Sequence, residues 1–206
     1  MIFQRKKIVF GSVKVHLMTF TDFDPTDYLD QLTDIEIERF YTFTNIQRQR
    51  EFVATRILRS ELVGIKLIKY NLVGAPYIED EAFLSISHSK NIVGIALCDE
   101  FKIGLDIEPI NDRILKVKHK FISLDENEKL DCESATILTK IWSGKESLYK
   151  ISGIKSVNFR TELSLIKKEE EKWEGFFDNK EYSKRTELSI FELDNRIISI
   201  NTCICE

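Results

Sequence analysis

The sequence predicts an α+β protein, and three observations carry that assignment. Two stretches, Gln47 to Tyr70 and Ser134 to Ile151, repeat apolar residues at helical spacing. Several shorter runs alternate apolar and polar residues, as half-buried strands do. Each half of the chain holds one long helix and a group of strands, with no low-complexity linker between them. At 206 residues and 43% hydrophobic, the chain can bury the core of one compact domain or of two small lobes.

In chain order, Ile8 to Phe10 and Val13 to Phe20 read as strands broken at Gly11. A turn around Pro25 leads into a loosely helical pattern from Tyr28 to Phe43, with Asp34, Glu36 and Glu38 on its wet side. The first long helix follows, its buried stripe drawn from Phe52, Val53, Ile57, Leu58, Leu62 and Ile65. Arg48, Arg50, Arg56 and Arg59 decorate it, either as a solvated face or as a site for an anion that guanidinium forks can grip. Phe83 to Ser89 is a strand ending in Ser87-His88-Ser89. Such a cluster can hold a phosphate or a base edge, or His88 can be a structural hydrogen-bonding residue. No Gly-x-Ser-x-Gly accompanies it, which excludes a nucleophile elbow.

Ile92 to Leu97 is a nearly continuous apolar strand, and Lys102 to Glu108 alternates strictly. The short Asp99-Glu100 link between them predicts a hairpin, with the Ser87-His88 end and the Asp106/Glu108 end on neighbouring strands of one sheet. Asp106 and Glu108 are two apart and share a face. Two readings are open: an edge strand carrying two solvated acids, or a pair of oxygen ligands for a divalent cation. Asn111 to Lys120 is basic and amphipathic, and Ser123 can cap a short helix whose first turn holds Asp125 and Glu126. The second long helix ends at Ser152-Gly153. On it Glu146 and Lys150 are four apart and share a face, either as an exposed helix-stabilising pair or as part of a site. Glu162–Ile166, Trp173–Phe177, Glu187–Leu193 and Arg196–Cys203 are strands separated by charged loops, among them Asp178 to Arg185.

Composition narrows the function classes. A formal net charge of −4 excludes an overall basic field of the kind that draws nucleic acid or an anionic membrane. Cys98, Cys132, Cys203 and Cys205 are too few and too irregular for a disulfide framework or a zinc site. The first residues lack a signal-peptide core, and no apolar run approaches the roughly 20 residues of a membrane span. A reduced, cytoplasmic protein is expected.

Ile103-Gly104-Leu105-Asp106-Ile107-Glu108, followed by Trp142-Ser143-Gly144-Lys145-Glu146-Ser147-Leu148-Tyr149-Lys150, resembles the two signatures of the 4′-phosphopantetheinyl transferases. The likeness is to the larger, monomeric, surfactin-synthetase-activating class. Ser85-Ile86-Ser87-His88-Ser89, Arg56, and Lys120-Phe121-Ile122-Ser123 with Glu126 or Glu128 are similar to further family segments in the same order. The likeness spans roughly residues 35 to 155. Gly74-Ala75-Pro76 departs from it, since the family often has a lysine at the position of Ala75.

The resemblance implies two similar lobes related by a pseudo-twofold. Each would be a small, mostly antiparallel sheet packed on a long helix, with a monomer's active site in the cleft between them. Residues 1–100 would form the coenzyme A nucleotide side and residues 101–206 the metal and carrier-protein side. It further implies transfer of phosphopantetheine from coenzyme A to a carrier-protein serine, with Mg²⁺ or Mn²⁺ held by Asp106, Glu108 and Glu146. Glu146 would be the base. Lys150, with Lys145, would neutralise phosphate. Arg56, Ser87 and His88, with Arg50 as a further candidate, would hold the nucleotide end. An acidic acyl, peptidyl or aryl carrier would dock near Ile114 to Leu124, on the basic residues around Phe121-Ile122. Two other functions stay open: a different Mg²⁺-dependent phosphoryl enzyme, and a non-catalytic coenzyme A-binding module on the same fold.

Overall fold

Turn residues set the strand pairing of the first half. Gly11, at φ 57°, lets β1 (Phe3–Phe10) fold straight back as β2 (Val13–Phe20). Asn91, at φ 63°, does the same between β5 (Phe83–Ser89) and β6 (Ile92–Cys98). In this computed structural model, which describes residues 2–179 and 183–205, the chain divides into two compact units, Met1–Glu100 and Phe101–Glu206. Residues 180–182, within the charged loop expected from Asp178 to Arg185, lie outside the described residues.

The first unit is built on an antiparallel sheet in the order β1-β2-β6-β5, with a small separate ribbon of β3 (Lys69–Tyr70) and β4 (Pro76–Tyr77). Two α-helices, α1 (Asp34–Phe40) and α2 (Ile46–Val63), complete it. Val53, Ile57 and Leu58 of α2 join Met18, Val93 and Ile95 of the sheet in one core. The Tyr28–Phe43 pattern resolves into a 3-10 segment, Pro25–Gln31, and the shorter α1. The helix expected to reach Tyr70 stops at Val63, because Gly64 turns to φ 77° and ends the ladder.

The second unit opens with β7 (Leu105–Pro109), then α3 (Arg113–Val117), α4 (Leu124–Lys129) and α5 (Ala135–Ser152). Four strands follow: β8 (Leu163–Lys167), β9 (Lys172–Asp178), β10 (Ser183–Leu193) and β11 (Arg196–Cys205). They form an antiparallel sheet in the order β7-β11-β10-β9-β8. Asp194 and Asn195, at φ 50° and 58°, make the two-residue turn between β10 and β11. Leu138, Ile141 and Leu148 of α5 pack with Leu163, Trp173 and Ile190 of the sheet.

The expected hairpin between Ile92–Leu97 and Lys102–Glu108 does not form. β6 pairs with β2 on one side and β5 on the other, so both of its edges are used, and β7 pairs with β11 instead. His88 and Asp106 therefore lie in different sheets. The burial of nearly every β6 residue reflects a central strand, and a central strand has no edge left for a hairpin partner. Cys98 and Cys132 are free thiols, both buried, and no helix among the described residues is long and apolar enough to cross a membrane.

One buried charge cluster ties the first unit together. Thr33 caps α1, and Glu36 three residues on completes the capping box. The same Glu36 carboxylate, 2% exposed, accepts from Arg56 Nε at 3.1 Å and Arg59 Nη2 at 3.3 Å. Arg56 also lies over the Phe52 ring, 3.7 Å from its centroid. Removing the anion strands two buried guanidiniums. Glu36→Gln is expected to cost about 3 kcal/mol or more in urea unfolding, and a change below about 1 kcal/mol would show the cluster is not a structural anchor.

Candidate active site

The strand alternation of Gly104, Asp106 and Glu108 turns one face of β7 and its lead-in toward α5. Between them the three meet α5 from Trp142 to Ile151. Gly104 makes the closest approach: a Cβ there would sit 2.2 Å from Ser147 O, so the position admits no side chain. Asp106 lies between Ser143, whose Oγ donates to Oδ2 at 2.9 Å, and Lys150, whose Nζ donates to Oδ1 at 2.9 Å. Lys150 Nζ also donates to Leu105 O at 2.6 Å. Glu108 accepts from Trp142 Nε1 at 3.0 Å. The strand was expected to bury one face; α5 covers the other as well, and Asp106 is only 5% exposed.

Glu146 lies one helical turn from both Trp142 and Lys150. No hydrogen-bond donor among the described residues reaches its carboxylate. Burial, then the Asp106 and Glu108 carboxylates, push Glu146 up to about 7 against the pull of Lys150. Burial and the Asp106 charge likewise raise Glu108, opposed by the Trp142 bond and Lys150. Asp106, Glu108, Glu146 and Lys150 are thus brought together as one electrostatic unit. An all-oxygen donor set with uncompensated negative charge fits a hard divalent cation by its chemistry. Among the described residues, however, no three Asp, Glu, His or Cys side chains are yet drawn into a metal-binding cluster. Asp106 is fastened to Ser143 and Lys150, and Glu108 to Trp142.

Lys145 does not join this group. Its ammonium, fully buried, donates to Phe121 O at 2.6 Å, Glu126 Oε2 at 2.7 Å and Phe159 O at 2.9 Å. All three donors are spent inside the unit, so none is left for a phosphate. Burial lowers its pKa, and the Glu126 charge opposes the shift. Glu126, not the exposed Glu128, is the glutamate that matters here. It completes the Ser123 capping box and accepts from Leu165 N at 2.9 Å.

The candidates of the first unit stand apart by function. Arg50 donates to Phe23 O at 2.9 Å and pairs with Asp22 at 2.8 Å; Arg56 is held by Glu36. Both guanidiniums brace their own unit. His88 on β5 is partly exposed, and its Nε2 accepts from Arg48 while Nδ1 faces Glu51 at 3.3 Å. That geometry selects the Nδ1–H tautomer for a neutral ring. Ser87 beside it is buried. Arg48 was legible only as one of four basic residues on a helix.

A groove of about 770 Å³ opens beside Glu108 within the second unit. Its floor is Phe121, Trp142 and Phe159, with successive ring centroids 5.2 Å apart, and Arg113 and Lys120 stand on its rim. Phe121 and Ile122, expected as docking anchors, are buried in the core. The exposed apolar side chains of this stretch are Val117 and Leu124, at 39% and 75%.

The family model of the 4′-phosphopantetheinyl transferase superfamily matches residues 102–200, a span that holds β7, α5 and the groove. No curated protein matches the chain.

The raised Glu146 has a stability consequence. Its native pKa near 7 exceeds the ordinary 4.5, so its stabilising contribution is complete below about pH 4.5 and is lost as pH rises through 7. In chelator, Glu146→Gln is therefore expected to match the parent near pH 4.5 and to exceed it above pH 7. The gain, after allowance for solvent screening, is of order 1–3 kcal/mol in urea unfolding. An equal gain at both pH values would remove ionisation as the cause.

Proposed function

We propose that the protein transfers the 4′-phosphopantetheine arm of coenzyme A to a serine hydroxyl of an apo carrier protein. One observation carries this reading: the segment that matches the superfamily also gathers Asp106, Glu108, Glu146 and Lys150 onto facing elements. The serine oxygen forms a bond to the phosphorus bearing the pantetheine arm, and the pyrophosphate P–O bond breaks. Adenosine 3′,5′-bisphosphate leaves. Glu146 takes the serine proton; it lies beside Asp106 and Glu108 at the reacting end of the site, where a positioned carboxylate can act as general base. Lys150, partly exposed, carries the positive charge nearest the acids and meets the phosphates. Asp106, Glu108 and Glu146 would hold Mg²⁺ or Mn²⁺, which when bound supplies charge neutralisation at the phosphates.

The nucleotide end is assigned to His88, with Arg48 added, because a phosphate needs donors at the surface; Ser87, the other candidate there, is buried. Arg50 and Arg56 are withdrawn from that role and Lys145 from phosphate binding. The larger, monomeric class is favoured because each unit carries an 18-residue helix packed on an antiparallel sheet, so one chain supplies both halves. The carrier, acyl, peptidyl or aryl, is assigned to the α3–α4 stretch. Arg113, Lys116 and Lys120 are exposed there beside Val117 and Leu124, a surface suited to an acidic helix.

Intact-mass measurement of several apo carriers with coenzyme A and Mg²⁺ tests the reaction. The expected result is a gain of one phosphopantetheine, abolished by chelator and by Asp106→Ala. Consumption of coenzyme A without a carrier would instead indicate a hydrolase, and metal-independent binding without turnover a binding module. For the docking surface, a Lys116→Glu/Lys120→Glu double variant should raise KM for the carrier about tenfold with kcat little changed. An unaltered KM would remove this surface from recognition.

A further inference from the structure

We infer that Ser143 is a positioning residue for Asp106, acting through its hydroxyl; the kinetic part of this inference rests on the transferase reading. Each carboxylate oxygen offers two acceptor sites. Ser143 occupies one on Oδ2 and Lys150 one on Oδ1. Together they fix the plane of the carboxylate, one bond to each oxygen. Lys150 alone cannot do this. Its ammonium sits on a flexible four-carbon stem, is 28% exposed, and is shared with Leu105 O. Ser143 is fully buried and reaches Asp106 through a single rotatable bond from the rigid wall of α5.

Two comparisons within the molecule show that this bond is specific. A helical hydroxyl commonly bonds back to its own helix, as Thr139 does to Ala135 O and Thr55 to Glu51 O, both at 2.7 Å. Ser143 is turned outward to the strand instead. Ser199 is paired with Asp106 across β7 and β11, is equally buried, and its hydroxyl has no hydrogen-bond partner among the described residues. Proximity to Asp106 alone therefore does not engage a buried serine.

The test compares Ser143→Ala, Ser143→Thr and Ser199→Ala in the full chain. Two quantities are read: Mn²⁺ affinity by titration without coenzyme A or carrier, and kcat and KM for coenzyme A. Ser143→Ala is expected to weaken Mn²⁺ binding and lower kcat about tenfold each, with KM for coenzyme A within twofold of the parent. Ser143→Thr should restore both, and Ser199→Ala should leave both unchanged. If Ser143→Ala does not fold, Ser143→Cys, which keeps the volume and weakens the donor, takes its place. Parental Mn²⁺ affinity in Ser143→Ala overturns the inference, as does equal damage from Ser143→Thr or from Ser199→Ala. A parent that binds Mn²⁺ but modifies no carrier overturns the transferase reading alone, and the Mn²⁺ series still decides the role of Ser143.

Discussion

A lysine ammonium buried without water must find an acceptor for every proton, and Lys145 meets that demand in a way that shapes the second unit. Two of its three partners are the carbonyls of Phe121 and Phe159, whose rings flank Trp142 in the groove floor. The third is Glu126, which also holds the start of α4 and the backbone of β8. One charge pair thus gathers four segments around the middle of α5. Its net energy is small, because desolvation offsets attraction, but the penalty for leaving either partner alone is large. The pair therefore acts as a selector of one arrangement. The aromatic groove is a by-product of satisfying a cation, and the acids of β7 lie along the same helix.

The first unit solves an equivalent problem with different side chains. Glu36 occupies the third position of a capped helix, as Glu126 does, and turns the same carboxylate toward cations of the long helix. Ile68 N reaches Glu36 as Leu165 N reaches Glu126, at 3.4 and 2.9 Å. Arginine supplies the cation in one unit and lysine in the other. In both, a residue read as a contact for the anionic ligand belongs to the scaffold. This separates charges that build the units from those left at the surface, such as Arg48, Lys116 and Lys120.

Local signals in the sequence were good guides to local structure. Alternation placed Asp106 and Glu108 on one face, and the i, i+4 spacing of Glu146 and Lys150 placed them on one side of α5. The cap at Ser123, the first-turn acids Asp125 and Glu126 and the stop at Gly153 were equally legible. What failed was pairing at a distance. Nothing in residues 91 to 108 states that β6 is already saturated by β2 and β5, or that the partner of β7 arrives about ninety residues later. Burial of charge failed for a related reason. Lys145 and Arg56 look like surface cations in any window that omits Glu126 and Glu36. The same limit hid Phe121, whose carbonyl and ring serve different neighbours.

The position of β7 has a consequence for how the protein is made. Within its sheet β7 touches only β11, the last strand in chain order. During synthesis the acidic strand must wait for residues 196 to 200 to emerge before its backbone can be paired. Contacts so far apart in sequence close slowly. The backbone pairing of β7 is therefore completed last, after β8, β9 and β10 have had time to find one another. A chain that lacks residues 196 to 200 keeps β8, β9 and β10 but leaves the backbone of β7 without its strand partner.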